Sequence, residues 1–245
     1  MLTAGGPARG EAGNFVIEAE NPLKAYFFGE HPRPINKWDH YFDIYHRHFA
    51  AFRSRPIRML EIGVYKGGSL DMWRHYFHDA SVIVGIDRNP DCKQIEGGNI
   101  KVRIGNQKDT GFLNRVVDEF GAFDVIVDDG GHIPSDQIAS FKTLYPQMAE
   151  NGVYLVEDTH TNLWPTYLRK GGATSFMAFC SQKVLELMQW TGQEHLIDRY
   201  HQPRGERSGT LPVSDFCRTT TGMAFYDSVV VFEKGPRPEP YTLER

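Results

Sequence analysis

Two acidic groups, each followed by a histidine, are the residues of this chain best suited to chemistry. The first reads Asp128-Asp129-Gly130-Gly131-His132 and the second reads Glu157-Asp158-Thr159-His160. Each group follows an apolar run of the length and composition typical of a buried strand. Carboxylates brought together without compensation repel one another, and a hard divalent cation such as Mg²⁺, held by oxygen ligands, removes that cost. The two groups therefore predict a Mg²⁺ site.

The histidines extend this chemistry to proton transfer. His132 lies three residues after Asp129, close enough to face the same substrate oxygen and act as a general base. The alternative is that Asp128 and Asp129 cap the next helix, while His132 is a loop histidine with satisfied hydrogen bonds. For His160 three roles stay open: a second base, a ligand contact or a packing residue.

A third chemical feature is the glycine-bearing loop Glu61-Ile62-Gly63-Val64-Tyr65-Lys66-Gly67-Gly68-Ser69. It is not the G-x-G-x-x-G of a dinucleotide site, because a glutamate stands two residues before Gly63. Glycines permit a tight turn and a close approach to a ligand. A carboxylate at that place repels a pyrophosphate but suits a ligand with an ammonium and a sulfonium group. S-adenosylmethionine (SAM) is therefore the better guest, and the alternative is a plain glycine turn with a solvated Glu61.

Polar residues further along the chain support a cofactor site. Asp87 lies 24 residues after Gly63, near the place where an acid accepts hydrogen bonds from ribose hydroxyls in the related dinucleotide fingerprint. An aspartate at a strand tip is also a common turn former. Asp87 therefore supports a cofactor site only in combination with the glycine loop. Gln107 and Asp109 are predicted adenine-side contacts, with a simple polar loop as the equal alternative. The predicted cofactor residues are Glu61, Gly63, Gly67, Ser69, Asp87, Gln107 and Asp128.

The elements around these motifs predict a mostly parallel sheet. Buried-strand patterns alternate with helical patterns, and this alternation builds a parallel sheet covered on both faces. Four of the five strand patterns have acidic residues at or beside their carboxyl ends, and ligands of such sheets bind beyond the carboxyl ends of the strands. The strand patterns are 57–63, 81–87, 99–104, 123–129 and 152–156.

The C-terminal part of the chain differs from this alternation. Two β-rich runs, 216–226 and 228–234, are separated by Asp227 and predict an antiparallel hairpin. A mostly parallel seven-stranded sheet that ends in such a hairpin is the Rossmann-like architecture of the class I methyltransferases. An amphipathic helix is expected over 36–52, before the first strand, and a mobile lid over 202–212.

Composition limits the class of protein. The 245 residues contain 27 Lys and Arg against 31 Asp and Glu, a net charge of −4, whereas proteins that coat nucleic acid are usually strongly basic. No apolar run is long enough to span a bilayer, and no secretory signal is visible. Three widely separated cysteines are ordinary for a reducing compartment. We expect a cytoplasmic protein with a flexible segment over 1–35, one domain over 36–235 and a tail over 236–245.

The motifs together resemble one family. The segments 60–70, 127–132 and 156–161 look like those of the metal-dependent sugar O-methyltransferases. This resemblance implies SAM and Mg²⁺ as cofactors, with His132 as the base. It also implies that the Mg²⁺ ligands are Asp129, Glu157 and Asp158. Asn36-Lys37-Trp38 stands where relatives often read Asp-Lys, a departure that leaves Lys37 without an assigned role.

The function that the resemblance implies is Mg²⁺-dependent transfer of the SAM methyl group to a sugar hydroxyl. The acceptor would be a saccharide, a polysaccharide or a glycosylated natural product, and neither nucleic acid nor a membrane is expected as a partner. Two alternatives stay open: a catechol-type O-methyltransferase acting on a small aromatic diol, and a SAM-binding accessory protein similar to cephalosporin hydroxylase. Apolar helix faces at the N-terminal helix and over 176–188 suggest a homodimer.

Overall fold

The first helix lies in the segment that was expected to be flexible. The computed structural model describes residues 21–172 and 174–245, so residues 1–20 fall outside the described part. Helix α1 (Pro22–Phe28) begins at Asn21, whose side chain accepts a hydrogen bond from the Leu23 N–H. Leu23 is completely buried in the core. From residue 21 onward the N-terminal segment therefore packs on the domain, although the sequence predicts a flexible segment over 1–35.

Seven strands form one sheet in the order β3-β2-β1-β4-β5-β7-β6. The first five are parallel, and β7 pairs antiparallel with both β5 and β6. This confirms the predicted mostly parallel sheet with a C-terminal hairpin. The strands are β1 (Arg58–Ile62), β2 (Val82–Asp87), β3 (Ile100–Ile104), β4 (Val125–Asp128), β5 (Val153–Val156), β6 (Thr220–Tyr226) and β7 (Val229–Lys234).

Helices cover both faces of the sheet. Alternate residues of a strand point to opposite faces, so Met59 of β1 packs in the layer with α1, α2 and α3, while Leu60 packs against α4, α5 and α7. Within the described residues no helix is both long and apolar enough to cross a bilayer. The remaining helices are α2 (Tyr41–Phe49), α3 (Gly68–Tyr76), α4 (Thr110–Phe120), α5 (Pro134–Leu144), α6 (Pro165–Gly171), α7 (Phe176–Leu187), α8 (Ile197–Tyr200) and α9 (Asp215–Thr219).

Two predicted boundaries were wrong. The hairpin does not begin at Phe216, because the Ser214 side chain accepts a hydrogen bond from the Cys217 N–H and so starts the short helix α9. Helix α2 begins at Tyr41, not at Asn36. The preceding residues 36–40 are not helical. They place the side chain of Lys37 beside acids that follow β4 and β5.

The segment 202–212 contacts the C-terminal residues and does not cover the sheet edge. Arg199 and Arg207 both pair with Glu239, and the side chain of Arg207 is buried at 2% exposure. Burial and paired charges hold this segment against residues 236–245. The role of 202–212 as a lid stays a prediction, and residues 237–242 form hydrogen bonds with the rest of the domain.

Candidate active site

A cavity of about 650 Å³ opens at the carboxyl edge of the sheet. Its walls come from the loops after β1, β4 and β5 and from the stretch that precedes α2. A second cavity of about 350 Å³ shares Gly63, Asp87, Gly130 and Tyr167 with the first. The predicted residues in the walls of the larger cavity are Gly63, Gly67, Ser69, Asp87, Asp129, His132, Glu157, Asp158 and His160.

Gly63 lets the ends of β1 and β4 meet. Its φ angle is +96°, and a Cβ built there would lie 2.1 Å from the carbonyl oxygen of Asp129. A side chain is excluded both by the backbone conformation and by the space. The same closeness brings the loop that carries Asp129 beside the glycine loop, so one turn residue joins the two predicted sites.

Asp87 holds the glycine loop through its carboxylate. Its Oδ2 accepts hydrogen bonds from the N–H groups of Val64 (2.9 Å) and Tyr65 (3.2 Å), and its Oδ1 accepts one from Asn89 (2.8 Å). Burial favours the neutral acid, but these N–H donors outweigh it, so the pKa of Asp87 lies below its ordinary value. Asp87 stands at the boundary of both cavities as an ionised acceptor.

Asp128 borders neither cavity, and its contact with a cofactor stays a prediction. It is the last residue of β4 and is completely buried. Its carboxylate accepts hydrogen bonds from Ser140 Oγ (2.5 Å) and Gln107 Nε2 (3.1 Å). Gln107 in turn accepts the Gly131 N–H through Oε1 at 2.8 Å and borders the smaller cavity. Asp128 thus positions Gln107 and the loop after β4.

Lys37 lies among three of the predicted acidic residues. Its Nζ is 2.5 Å from Asp129 Oδ2, 2.9 and 3.0 Å from the two carboxylate oxygens of Glu157, and 3.6 Å from Glu61 Oε1. Burial alone would lower the pKa of Lys37, but these carboxylates raise it well above its ordinary value. The ammonium compensates charges that were predicted to need a metal ion or a cationic cofactor.

Glu61 lies behind Lys37 and not in the cavity wall. It is completely buried, and its Oε2 accepts a hydrogen bond from Ser69 Oγ at 2.7 Å. Its Oε1 has no hydrogen-bond partner within the described part of the chain. Burial raises the pKa of Glu61, against the lowering effect of Lys37. The carboxylate of Glu61 faces the ammonium of Lys37, and its contact with a cofactor stays a prediction.

Two tyrosines of α2, one helical turn apart, hold the acids that follow β5. Tyr45 donates to Glu157 Oε1 at 2.6 Å and Tyr41 donates to Asp158 Oδ1 at 2.8 Å. Burial raises the pKa of both tyrosines, so each remains a protonated donor. Glu157 is buried beside Asp129, and its own pKa is raised well above the ordinary value for these two reasons.

His132 faces the acids from the other side. Its Nε2 is 3.5 Å from Asp158 Oδ2 and 4.0 Å from Asp129 Oδ1, and Thr161 Oγ1 donates to its carbonyl oxygen at 2.9 Å. Both His132 and Asp158 have φ angles near +50°, in the left-handed region. Non-glycine residues hold this conformation only where the surroundings impose it, and such positions cluster at functional sites.

The residues present fit a divalent cation. One ligand atom each from Asp129, His132 and Asp158 lies within 4.8 Å of the others. Two carboxylates with room for water match the preference of Mg²⁺ for oxygen ligands and retained waters. Glu157, the third predicted ligand, is not among these three residues, and its oxygens accept hydrogen bonds from Lys37 and Tyr45.

Exposed aromatic side chains surround the mouth of the larger cavity. Trp38 and Trp164 lie in its wall with 56% and 49% of their surface exposed. The ring of His160 packs between them, with centroids 5.9 Å from Trp38 and 4.9 Å from Trp164. His160 Nδ1 is also 3.9 Å from Asp158 Oδ1. The structure therefore places His160 in the wall of the cavity, beside the acids.

Sequence reasoning missed Lys37, Tyr41, Tyr45 and Trp164. The two tyrosines have the spacing of an apolar helix face, and nothing in the pattern shows that their hydroxyl groups meet acids more than a hundred residues later. For Lys37 the only signal was the Asn-Lys-Trp stretch. Its role could not be assigned before the fold placed it between two loops.

The strand order and the cavity at the carboxyl edge define the Rossmann-like class I methyltransferase fold. In sequence, the chain is 32% identical over 82% of its length to 8-demethyl-8-(2-methoxy-alpha-L-rhamnosyl)-tetracenomycin-C 3'-O-methyltransferase of Streptomyces olivaceus. It is 33% identical over 80% of its length to mycinamicin VI 2''-O-methyltransferase of Micromonospora griseorubida. No family model matches the chain. These relatives confirm the resemblance to sugar O-methyltransferases.

A solved structure agrees with this relationship. MycE methyltransferase from the mycinamycin biosynthetic pathway, in complex with Mg, SAH and mycinamycin VI, superposes with a TM-score of 0.71 at 26% identity. The match covers 91% of this chain and 55% of the MycE chain. The chain likewise spans about half the length of these two curated relatives, 51% and 48%.

Proposed function

We propose that this chain transfers the methyl group of SAM to a hydroxyl of a sugar on a glycosylated small molecule, with a Mg²⁺ ion at the acidic site. The observation that carries the proposal is the position of His132 Nε2, which faces Asp129 and Asp158 in the cavity that also contains the glycine loop. The names of the relatives support a sugar hydroxyl as the acceptor, and the Mg and SAH of the MycE complex support the two cofactors.

The cofactor would lie along the two joined cavities. Gly63, Gly67 and Ser69 offer a wall without bulky side chains, and Asp87 offers lone pairs to the ribose hydroxyls. Gln107 borders the smaller cavity, on the side proposed for the adenine. Asp129 and Asp158 would hold the metal ion. When bound, Mg²⁺ supplies Lewis acidity and SAM supplies an electrophilic methyl group.

The chain's own residues would align and deprotonate the acceptor. His132 Nε2 would accept the hydroxyl proton, and the hydrogen bond from Thr161 to the His132 carbonyl keeps that loop in place. Tyr41 orients Asp158 from the opposite side. Because the methyl group needs little activation, most of the rate gain would come from holding the two reactants in line.

The aromatic rim supports a sugar-bearing acceptor. A pyranose ring presents C–H groups on its faces, and these would pack on exposed aromatic rings such as Trp38 and Trp164. Its hydroxyl groups would then face the polar residues that line the same cavity. We propose that the rim binds the sugar or the aglycone next to it. The cytoplasmic location and the homodimer remain predictions.

A labelled-methyl screen tests the function. Glycosylated macrolides and aromatic polyketides, free oligosaccharides and catechols are incubated with the protein, methyl-labelled SAM and Mg²⁺, and products are fragmented by mass spectrometry. We expect label on a sugar hydroxyl, loss of activity in EDTA and recovery on adding Mg²⁺. Label on a catechol would favour the catechol-type enzyme, and full activity in EDTA would contradict the metal site. SAM binding without transfer to any acceptor would favour the accessory protein.

A further inference from the structure

Lys37 makes contacts that a divalent cation would also need. Its side chain is only 2% exposed, and its Nζ lies within 3.0 Å of both carboxylate oxygens of Glu157 and 2.5 Å from Asp129 Oδ2. Tyr45 donates to Glu157 Oε1 as well. Both oxygens of Glu157 and one of Asp129 are thus already engaged by donors.

A metal ion cannot add Glu157 to its ligands while these contacts persist. Mg²⁺ binds carboxylate oxygens at about 2.0–2.1 Å. An ammonium held against the same oxygens would lie a few ångströms from the ion, and like charges at that separation in a buried site repel strongly. Without movement of Lys37, the ion is restricted to the carboxylates of Asp129 and Asp158.

We propose that Lys37 is an internal counter-ion, which occupies the carboxylate site in the metal-free protein and withdraws from Asp129 and Glu157 when a divalent cation binds. This inference rests on the proposed Mg²⁺ site. After leaving Asp129 and Glu157, the ammonium of Lys37 can pair with the carboxylate of Glu61. Its Oε1 is 3.6 Å from Nζ and has no hydrogen-bond partner among the residues described.

Two properties follow from this exchange. The metal-free protein keeps a compensated carboxylate cluster, so it does not need the ion to fold. The metal ion binds against a resident positive charge, so its affinity is lower than the acidic ligands alone would give. Removing the charge of Lys37 should change both properties in opposite directions, weakening the metal-free protein and strengthening metal binding.

Calorimetric titration with Mn²⁺ tests the inference without relying on activity. We expect Lys37→Met, which keeps the apolar stem but lacks the charge, to bind Mn²⁺ at least about tenfold more tightly than the wild type, because a unit charge at this distance interacts strongly in a buried site. In EDTA the variant should melt at a lower temperature and gain more from Mn²⁺. Lys66→Met is the matched control, since Lys66 lies on the neighbouring loop and contacts the ring of Tyr65 but none of these acids.

The outcomes separate the two proposals. Wild-type binding of Mn²⁺ with no tighter binding by Lys37→Met overturns the counter-ion role and leaves the metal site intact. If neither protein binds Mn²⁺, the metal site fails and the inference fails with it. If Lys37→Met does not fold, ¹⁵N-lysine NMR of the wild type decides: the protected ammonium signal, assigned through Lys37→Arg, should shift with Mg²⁺. An unchanged signal at Mg²⁺ concentrations that saturate calorimetric binding would overturn the proposal.

Discussion

Adjacent residues of one motif have separate tasks in this site. Asp128 ends β4 and is completely buried, whereas Asp129 follows the strand and reaches the cavity. Successive side chains of a strand point in opposite directions, so the two carboxylates diverge although the sequence presents them as a pair. Asp128 accepts hydrogen bonds from Ser140 and Gln107 and supports the loop. Asp129 contacts Lys37 on one oxygen and faces His132 with the other.

The position of His132 leads to a prediction at this scale. His132→Ala should keep SAM affinity and lose turnover by roughly 10²–10⁴-fold, the usual contribution of a positioned base. Calorimetric titration with SAM and single-turnover methyl transfer measure the two effects separately. His195→Ala is the control, because His195 is exposed and lies outside both cavities. Unchanged turnover would remove His132 as the base, and a matching loss in His160→Ala would indicate a second one.

Sequence reasoning at the residue scale found the acids and the histidine but not their partners. A strand-end carboxylate is visible in the sequence because it follows an apolar run. Lys37 and Tyr45 are not visible in this way, since their roles depend on contacts that cross 120 and 112 residues of chain to Glu157. Hence the excess of acids was predicted correctly, while the cation beside them was not.

At the scale of elements, close contact between the ends of β1 and β4 depends on one glycine. Parallel pairing aligns Ile62 with Asp128, and the chain beyond each strand then turns into the cavity wall. Gly63 is the first residue after β1, and any Cβ there would meet the backbone of Asp129. The turn therefore fixes the distance between the glycine loop and the acidic loop.

Gly63→Ala should destabilise the protein by more than its φ angle alone explains. Gly98 also has a positive φ angle, +61°, but has open space around it. We expect Gly98→Ala to cost roughly 1–2 kcal/mol, the penalty for a left-handed residue. Gly63→Ala should exceed roughly 3 kcal/mol, because the backbone must also move. Chemical denaturation measures both, with Gly97→Ala as a neutral reference. Equal losses at Gly63 and Gly98 would show that the loops have room to separate.

Strand patterns were predicted well because buried parallel strands are nearly continuous apolar runs between turn residues. The parallel direction of the first five strands follows from the same alternation of strands and helices. The missed elements were those whose local signal is weak or misleading. Helix α9 overlaps the β-rich run 216–226 that also suits a strand, and its start depends on one hydrogen bond to Ser214. The sequence predicts a helix over 36–52, but the helix begins at Tyr41. Lys37, in the non-helical stretch before it, contacts carboxylates that are distant in the sequence.

Among the carboxylates whose pKa is shifted, burial and hydrogen-bond donors act in opposite directions, and at Asp87 the donors outweigh burial. At the site, burial raises the pKa of Glu61, Asp128 and Glu157. Nearer the surface, hydrogen bonds from basic side chains lower the pKa of paired acids such as Glu96. Glu96 accepts hydrogen bonds from Lys93, from the Val102 N–H of the edge strand β3 and from Arg103. These donors, the Lys93 bond first, lower its pKa to about 2.

The shift of Glu96 predicts a pH-dependent stability. Its pKa falls from 4.5 in the reference state to about 2 in the folded protein, so the ionised group stabilises the fold above pH 4.5 and this contribution disappears as the pH falls through about 2. Glu96→Gln should therefore lower the melting temperature at pH 7 and make no difference near pH 2. Thermal denaturation over that range checks it, with the exposed Glu150→Gln as control. A constant difference at every pH would assign the effect to packing.

The position of Lys37 in the chain also bears on how the protein is made. Synthesis runs from the N-terminus, so Lys37, Tyr41 and Tyr45 leave the ribosome before the carboxylates they contact. Lys37 precedes Asp129 by 92 residues and Glu157 by 120. When β4 and β5 emerge, the nascent chain already contains the ammonium of Lys37 and the two tyrosine hydroxyls that contact the acids after these strands. The acids can be enclosed as soon as they fold, whether or not the cell supplies a metal ion at that moment.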